Sequence, residues 1–356
     1  MMRPRSVASE AARNLRSGTT RALLLAVAFV LLVGTLAALD TRAVVDVLRG
    51  AADFRASGAA IATLAAPGRV DGGRCEAFGD VPGITAGAYR AGEPLRALSL
   101  PSSRLSVFDV TPGLLDVLTG TTTPARTSGV WLSAELAETL GVVAGDRLAT
   151  FSGDATVAGI YAYPDDGRDR ALAYAVLTPV PPAGTFDVCW AEAWPVDAGS
   201  SALLPTALLP GTDPTEATLG QLNTRLGAEH DALDLLAHRL TRHAPVAALL
   251  TGFVLGAASV RARRLELAAA LHARVPRPAL AWQVLLEVLA WTLAGALIAG
   301  ACLLWISRWG NPDPGAEAWW TGLRVVAVGT GGALLGALLG VLGTRERSLF
   351  RYFKDR

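Results

Sequence analysis

Few residues in this 356-residue chain have the types and spacing that chemistry demands. His230, His238 and His243 stand eight and five residues apart, steps that bring only loosely similar helix faces together. They read as solvated helix residues, and no Cys-x-x-Cys or Cys/His spacing offers a zinc site. GxxxxGK[ST], GxSxG and HExxH are all absent, and the single lysine is Lys354. The chain is therefore not a P-loop ATPase by itself, and it shows no catalytic, cofactor-binding or metal site. Two features remain. Glu287 borders a long apolar run, where a carboxylate is either functional or reaches headgroup water from the interface. Cys75 and Cys189 fall in one long polar segment. If that segment faces an oxidising compartment they can pair, closing a loop of over 100 residues and contributing about 4–5 kcal/mol. The alternative is two separate buried thiols; Cys302 lies in an apolar run and reads as a packed small residue.

The elements that would position these residues follow from hydropathy. The chain is 51% hydrophobic and 18% charged, with a mean hydropathy of +0.38. That excludes extended disorder and leaves a membrane protein with a sizeable polar part. The net charge of +1 excludes a generally basic nucleic-acid binder. Ala22 to Leu39 is an uncharged run of 18 residues, one bilayer core long. It exceeds the apolar region of a signal peptide and lacks a good cleavage site, so it reads as an uncleaved anchor. Ala244–Val260, Val288–Ile306 and Val325–Gly343 add three more candidate spans.

Arginine placement orients them. Residues 1–21, the loop 261–278 and the tail together hold fifteen basic residues against four acidic ones. The tail's share is Arg345, Arg347, Arg351, Lys354 and Arg356. The positive-inside rule puts these segments, and both termini, in the cytoplasm. The expected organisation is a basic cytoplasmic helix (1–21), the first span with a stalk extension (22–48), and an extracytoplasmic α+β domain (49–212). A stalk helix and second span (213–260), a cytoplasmic segment (261–283) and the third span (284–306) follow. An outside loop (307–320), the fourth span (321–343) and the tail (344–356) complete the chain. Trp305, Trp309, Trp319 and Trp320 flank the outside loop as an interfacial belt.

Inside the polar domain, Leu105–Val110 and Gly129–Leu132 read as strands. Ser133 caps a helix through Leu140, closed by Gly141. Arg147–Phe151 and Thr156–Tyr161 read as a hairpin around Ser152-Gly153-Asp154. Asp213, Pro214 and Glu216 resemble a capping box. The heptad-like Leu219, Leu222, Leu226, Leu233, Leu236 and Leu240 then predict one stalk helix of about 30 residues. Val44, Val45, Val47 and Leu48 would supply its partner seam. In the fourth span Gly332, Gly336 and Gly340 form a small-residue face for close helix packing.

In this order the segments resemble the FtsX/MacB-like permeases of ATP-binding cassette transporters. The stretch Glu10-Ala-Ala-Arg-Asn-Leu-Arg16 is similar to that family's first helix. Asp109-Val-Thr-Pro-Gly-Leu-Leu-Asp-Val-Leu118 is similar to its V-S-P-G-F-F-x-V-L segment. Val130-Trp-Leu-Ser-Ala-Glu-Leu-Ala137 with Leu140-Gly141 resembles the V-x-I-S-E-x-L-A…L-G element after it. Gly145-Asp-Arg-Leu148 and Val157-Ala-Gly-Ile-Tyr161 resemble the strands that come next. Arg263-Arg-Leu-Glu-Leu-Ala268 resembles R-R-x-E-I-A, and Glu287 falls where the family often has Glu. The chain departs from the pattern at Arg274, where Gly is usual, and at Pro276, where Ser is usual. It also lacks the usual P-A-x-x-A-x-x-x-x-P exit after the fourth span.

The resemblance implies a membrane protein with four transmembrane α-helices plus an α+β extracytoplasmic domain on a long helical stalk. It implies a plasma-membrane permease that works with two separate ATPase subunits and a second permease chain, as a homodimer or heterodimer. ATP and Mg would be held by the ATPase, none in this chain. The chain would export or extract a hydrophobic, peptide or lipid substrate by mechanotransmission, amid membrane lipid and an extracytoplasmic accessory protein. Segment 261–283 would be the ATPase-coupling element, through Arg263, Arg264, Glu266, His272, Arg274 and Arg277. An FtsX-like regulator of a cell-wall hydrolase and a membrane-anchored sensor without ATPase are the alternatives.

Overall fold

A computed structural model describes residues 4–121, 128–195, 198–313 and 315–345. Arg3 and the tail residues Arg347, Arg351, Lys354 and Arg356, counted above toward orientation, lie outside the described residues. In chain order, α1 (Pro4–Arg16) is followed by α2 (Ala22–Phe29), a π-helical turn at Val30–Gly34 and α3 (Thr35–Ala56). Then come β1 (Ile61–Asp71), α4 (Gly72–Ala77), β2 (Ile84–Ala91), β3 (Ser106–Val110) and α5 (Pro112–Thr119). β4 (Val130–Ser133), α6 (Ala134–Leu140), β5 (Arg147–Thr150), β6 (Gly153–Tyr161), β7 (Ala175–Pro179) and β8 (Thr185–Ala193) continue the polar part. α7 (Ala198–Leu203), β9 (Thr218–Gln221) and α8 (Ala232–His238) lead to α9 (Ala244–Ala262), α10 (Arg264–His272), α11 (Arg277–Arg308) and α12 (Glu317–Gly343).

The chain forms two compact units, Met1–Gly50 with Ala232–Arg356, and Ala51–Asp231. The second unit carries a mixed nine-stranded sheet in the order β5-β6-β4-β7-β3-β2-β8-β1-β9. Its local signals are those of the amino-acid pattern. Ser133 accepts from the backbone N–H of Leu136, and Gly141 closes α6 in the left-handed region at φ 68°. β5 and β6 pair as an antiparallel hairpin, Arg147 opposite Thr156. Cys75 on α4 and Cys189 on β8 are joined by a disulfide across 5.9 Å between Cα atoms. Both are fully buried, in a cluster with Leu64, Val70 and Phe186.

The first unit is helical. Among the described residues, four helical stretches are long and apolar enough to cross a membrane: Ala22–Ala56, Leu240–Ala262, Arg277–Arg308 and Glu317–Gly343. Leu23, Leu31, Leu250, Val254 and Leu297 are each more than 60% exposed, so the bundle turns an apolar band outward. The helices overrun the apolar runs. α11 ends at Arg308 and α12 begins at Glu317, so the expected 307–320 loop shrinks to the residues between them.

The stalk helix expected from Asp213 onward is not formed. Pro214–Glu216 make one 3-10 turn, and Thr218–Gln221 become an edge strand against β1, with Leu219 opposite Leu64. Leu222 donates its N–H to Ile61 at 2.9 Å and is buried in the sheet's core. Here the open edge of β1 offers backbone partners that override the heptad spacing. Gly227, at φ 90°, and the extended Arg239 then confine the remaining helix to α8. What extends beyond the first apolar run is α3 itself: Val44, Val45 and Leu48 pack with Ala318 and Leu236.

The tightest helix pair is α9 with α12. A Cβ on Gly332 would meet the Leu249 carbonyl oxygen at 2.2 Å, and one on Gly336 the Phe253 oxygen at 2.0 Å. A Cβ on Gly340 would meet the Val260 side chain at 3.0 Å. The stripe is reciprocal. Gly252 and Gly256 on α9 lie equally close to the backbone of Gly329 and Ala333. Gly331, on the same helix, has open space. Gly336→Ala is therefore expected to destabilise the bundle by about 2 kcal/mol, whereas Gly331→Ala is near neutral. Thermal unfolding in mild detergent reads the difference; equal effects would contradict the seam.

Candidate functional site: a guanidinium bridge between α10 and α11

α9 ends and α10 begins at one residue, Arg263, whose backbone sits at φ −113°, ψ 14°. This kink turns the Arg263 side chain inward, where it is only 11% exposed. Its Nε donates to Glu266 Oε2 at 2.9 Å and its Nη2 to Glu266 Oε1 at 2.6 Å, a two-pronged grip on the first turn of α10. Its Nη1 donates to Glu287 Oε2 on α11. Glu287 is 3% exposed, and both of its carboxylate oxygens accept hydrogen bonds from neighbouring side chains. Its Oε1 accepts from Asn14 Nδ2 of α1 at 2.8 Å and from Gln283 Nε2 at 3.4 Å. Val7, Ala11 and Asn14 fall at helical spacing along α1, which packs on α11; Val7 and Ala11 are buried there.

One guanidinium thus ties three elements together. Burial pulls the Arg263 pKa down, but the bonds to Glu266 and the charge of Glu287 outweigh that and hold it above its ordinary value. The arrangement moves no proton and holds no reacting atom. What it can do is transmit force, because α10 cannot shift without dragging on a buried carboxylate of α11. Beside it an open cleft of about 720 Å³ lies between the α1–α2 turn and α9–α10, lined by Thr19, Thr20, Arg21, Ser259 and Glu266 among others.

The remaining residues expected in the coupling segment divide by position. Arg264 is half-buried, and His272, Arg274 and Arg277 are exposed. Arg274 takes a left-handed conformation at φ 61°, rare for a residue with a side chain. Its N–H donates to Leu271, and that of Val275 to Ala270, which is the paired closure of a Schellman turn. The chain keeps a glycine-type turn with arginine in it.

A second cluster holds the far end of the same bundle. Asp40, 1% exposed, accepts from Arg239 Nε at 3.0 Å. Arg42 and Arg49 donate to the carbonyl oxygens of Trp309 and Gly310 at 3.2 and 3.0 Å. The three histidines take no part in a shared site. His230 stacks on Phe54 in the second unit, and His238 pairs with Asp234. Among the described residues no group of His, Cys, Asp or Glu is arranged to hold a metal. Asn14, Gln283, Asp40 and Arg239 were absent from the residues singled out by spacing; the only signal was a polar residue set in or beside an apolar run.

No family model and no curated protein matches this chain. Among solved structures it is similar to a domain of a suspected permease protein from Porphyromonas gingivalis, at 13% identity and a TM-score of 0.31. That likeness covers 50% of this chain and 95% of the other. It is too slight to bear on function.

Removing Arg263 leaves the buried Glu287 carboxylate without its charge partner, at a cost of about 3 kcal/mol, whereas removing Glu287 leaves Arg263 its two bonds to Glu266 and costs less. Arg263→Met should lower stability by roughly that amount, and Glu287→Leu by about 1.5 kcal/mol, the worth of one charged hydrogen bond. The double variant should recover at least half of the summed loss. Denaturant unfolding of all four proteins checks this, and strict additivity would show that the two side chains do not support each other.

Proposed function

We propose that this chain is the membrane subunit of an ATP-binding cassette transporter of the FtsX/MacB-like kind, driven by separate ATPase subunits. In this reading the four apolar helices span the plasma membrane with both termini in the cytoplasm, and the sheet unit lies outside. Two ATPase copies, with ATP and Mg, would act on a pair of permease chains. The cargo class is a hydrophobic molecule, a peptide or a lipid.

The observation that carries the reading is Arg263, held between Glu266 on a surface helix and Glu287 inside the bundle. An anchor or passive binding module needs no such linkage, whereas a chain that relays another protein's work does. The exposed Arg274 and Arg277, at the end of α10 and the start of α11, offer cationic contacts to an acidic partner surface. The two charged clusters at opposite ends of the bundle make it a stiff lever. The order of sequence segments resembling the family supports the same conclusion, as does the disulfide, which suits an oxidising compartment.

Purification of the full chain from its native membrane tests this. A nucleotide-binding ATPase should accompany it, and Glu266→Arg should reduce nucleotide hydrolysis by the complex about fivefold or more. Absence of any ATPase, or unchanged hydrolysis in Glu266→Arg, would overturn the proposal.

A further inference from the structure

Arg324 stands out on α12. It lies seven residues into a helix of membrane length, about 10 Å along the axis from Glu317, and its side chain is exposed. It makes no hydrogen bond or ion pair among the described residues. A charge on the lipid-facing surface of a span is costly unless it reaches the interface or meets an anion. One turn earlier on the same face is Trp320, 61% exposed. Its indole N–H also has no acceptor among the described residues. Helical side chains lean toward the N-terminus, so the guanidinium reaches back toward the level of Trp320. That is the level at which Trp319 and Trp320 mark the membrane interface.

Below these two donors the surface is hollow. An open groove of about 760 Å³ runs between α11 and α12, lined by Leu293, Ala296, Leu323, Val326, Ala327 and Thr330, with Trp320, Thr321 and Arg324 completing its wall. The two threonines spend their hydroxyl protons on their own helix, donating to Ala318 and Val326. Arg324 is thus the only charged group among the described residues that line the groove. An apolar trough with a cation and an indole donor at its interfacial end matches one amphiphile, with a negative head and a hydrocarbon tail.

We propose that this groove is a binding site for a phospholipid with a net anionic headgroup, in the leaflet next to the loop between α11 and α12. The phosphate oxygens accept from the Arg324 guanidinium and from Trp320 Nε1, and an acyl chain lies along Leu293, Ala296, Val326 and Ala327. The proposal needs only that α11 and α12 span a bilayer. It is independent of any ATPase.

The full chain is reconstituted in vesicles of equimolar phosphatidylcholine and phosphatidylglycerol, extracted gently, and its retained lipid identified by native mass spectrometry. Wild type should retain phosphatidylglycerol preferentially. Arg324→Leu should reduce that preference about fivefold, the factor for one arginine at an anionic membrane surface, whereas Arg324→Lys should keep most of it. Ala327→Trp, which fills the trough and leaves the cation, should lower retention of the lipid. Melting temperatures confirm that each variant is folded. An unchanged preference in Arg324→Leu would overturn the site. So would efficient cross-linking between copies through Ala327→Cys in a chain also carrying Cys302→Ala, which would assign the groove to a second chain.

Discussion

A guanidinium buried between two carboxylates is the constraint on which this molecule turns. Arg263 cannot be left unpaired where it lies, and Glu287 cannot be left charged and alone inside a helical bundle. Each makes the other tolerable, and Glu266 and Asn14 supply the remaining bonds. Such a pair is weak evidence for stability, because apolar residues of the same shape would pack at least as well. Its worth is geometric. It fixes the kink between α9 and α10 and locks the direction of α10 to that of α11 and α1.

The rest of the bundle gives that lock something to act on. α9 and α12 approach backbone to backbone along reciprocal glycines, leaving little freedom for one to slide without the other. At the opposite end, Asp40 with Arg239, and Arg42 and Arg49 on the carbonyls of Trp309 and Gly310, tie α3 to the segments that follow α8 and α11. In the proposed function, a displacement imposed on α10 would travel through a bundle clamped at both ends. That is the mechanical property a relay requires and a simple anchor does not.

Much of the architecture was readable in the amino-acid order. Length and hydropathy located the four apolar helices, because nothing else accommodates 17 or more uncharged residues in a row. Ser133, Gly141 and Ser152-Gly153-Asp154 marked α6 and the β5–β6 hairpin, because caps and turns are decided within a few residues. The stalk was misread for the opposite reason. The leucines from 219 to 240 satisfy a heptad, but Leu219 and Leu222 are claimed by the edge of β1, some 150 residues earlier in the chain. Glu287 and Arg263 could each be singled out locally. Their bond to one another, and the part played by Asn14, could not, since 24 and 273 residues separate those partners from Glu287. Gly252 and Gly256 escaped notice because small residues abound in apolar runs; only α12 lying against them gives their spacing meaning.

If Arg263 is the lock, α10 and α11 move as one body. Spin labels placed at the native exposed thiol of Cys302 on α11 and at Ala269→Cys on α10 measure this directly by pulsed electron resonance in lipid nanodiscs, since Cys75 and Cys189 are already bonded. The otherwise native chain should give one narrow distance distribution, and a broad or divided one should appear when Arg263→Met is added to a protein that remains folded. Distributions of equal width in the two proteins would contradict the lock.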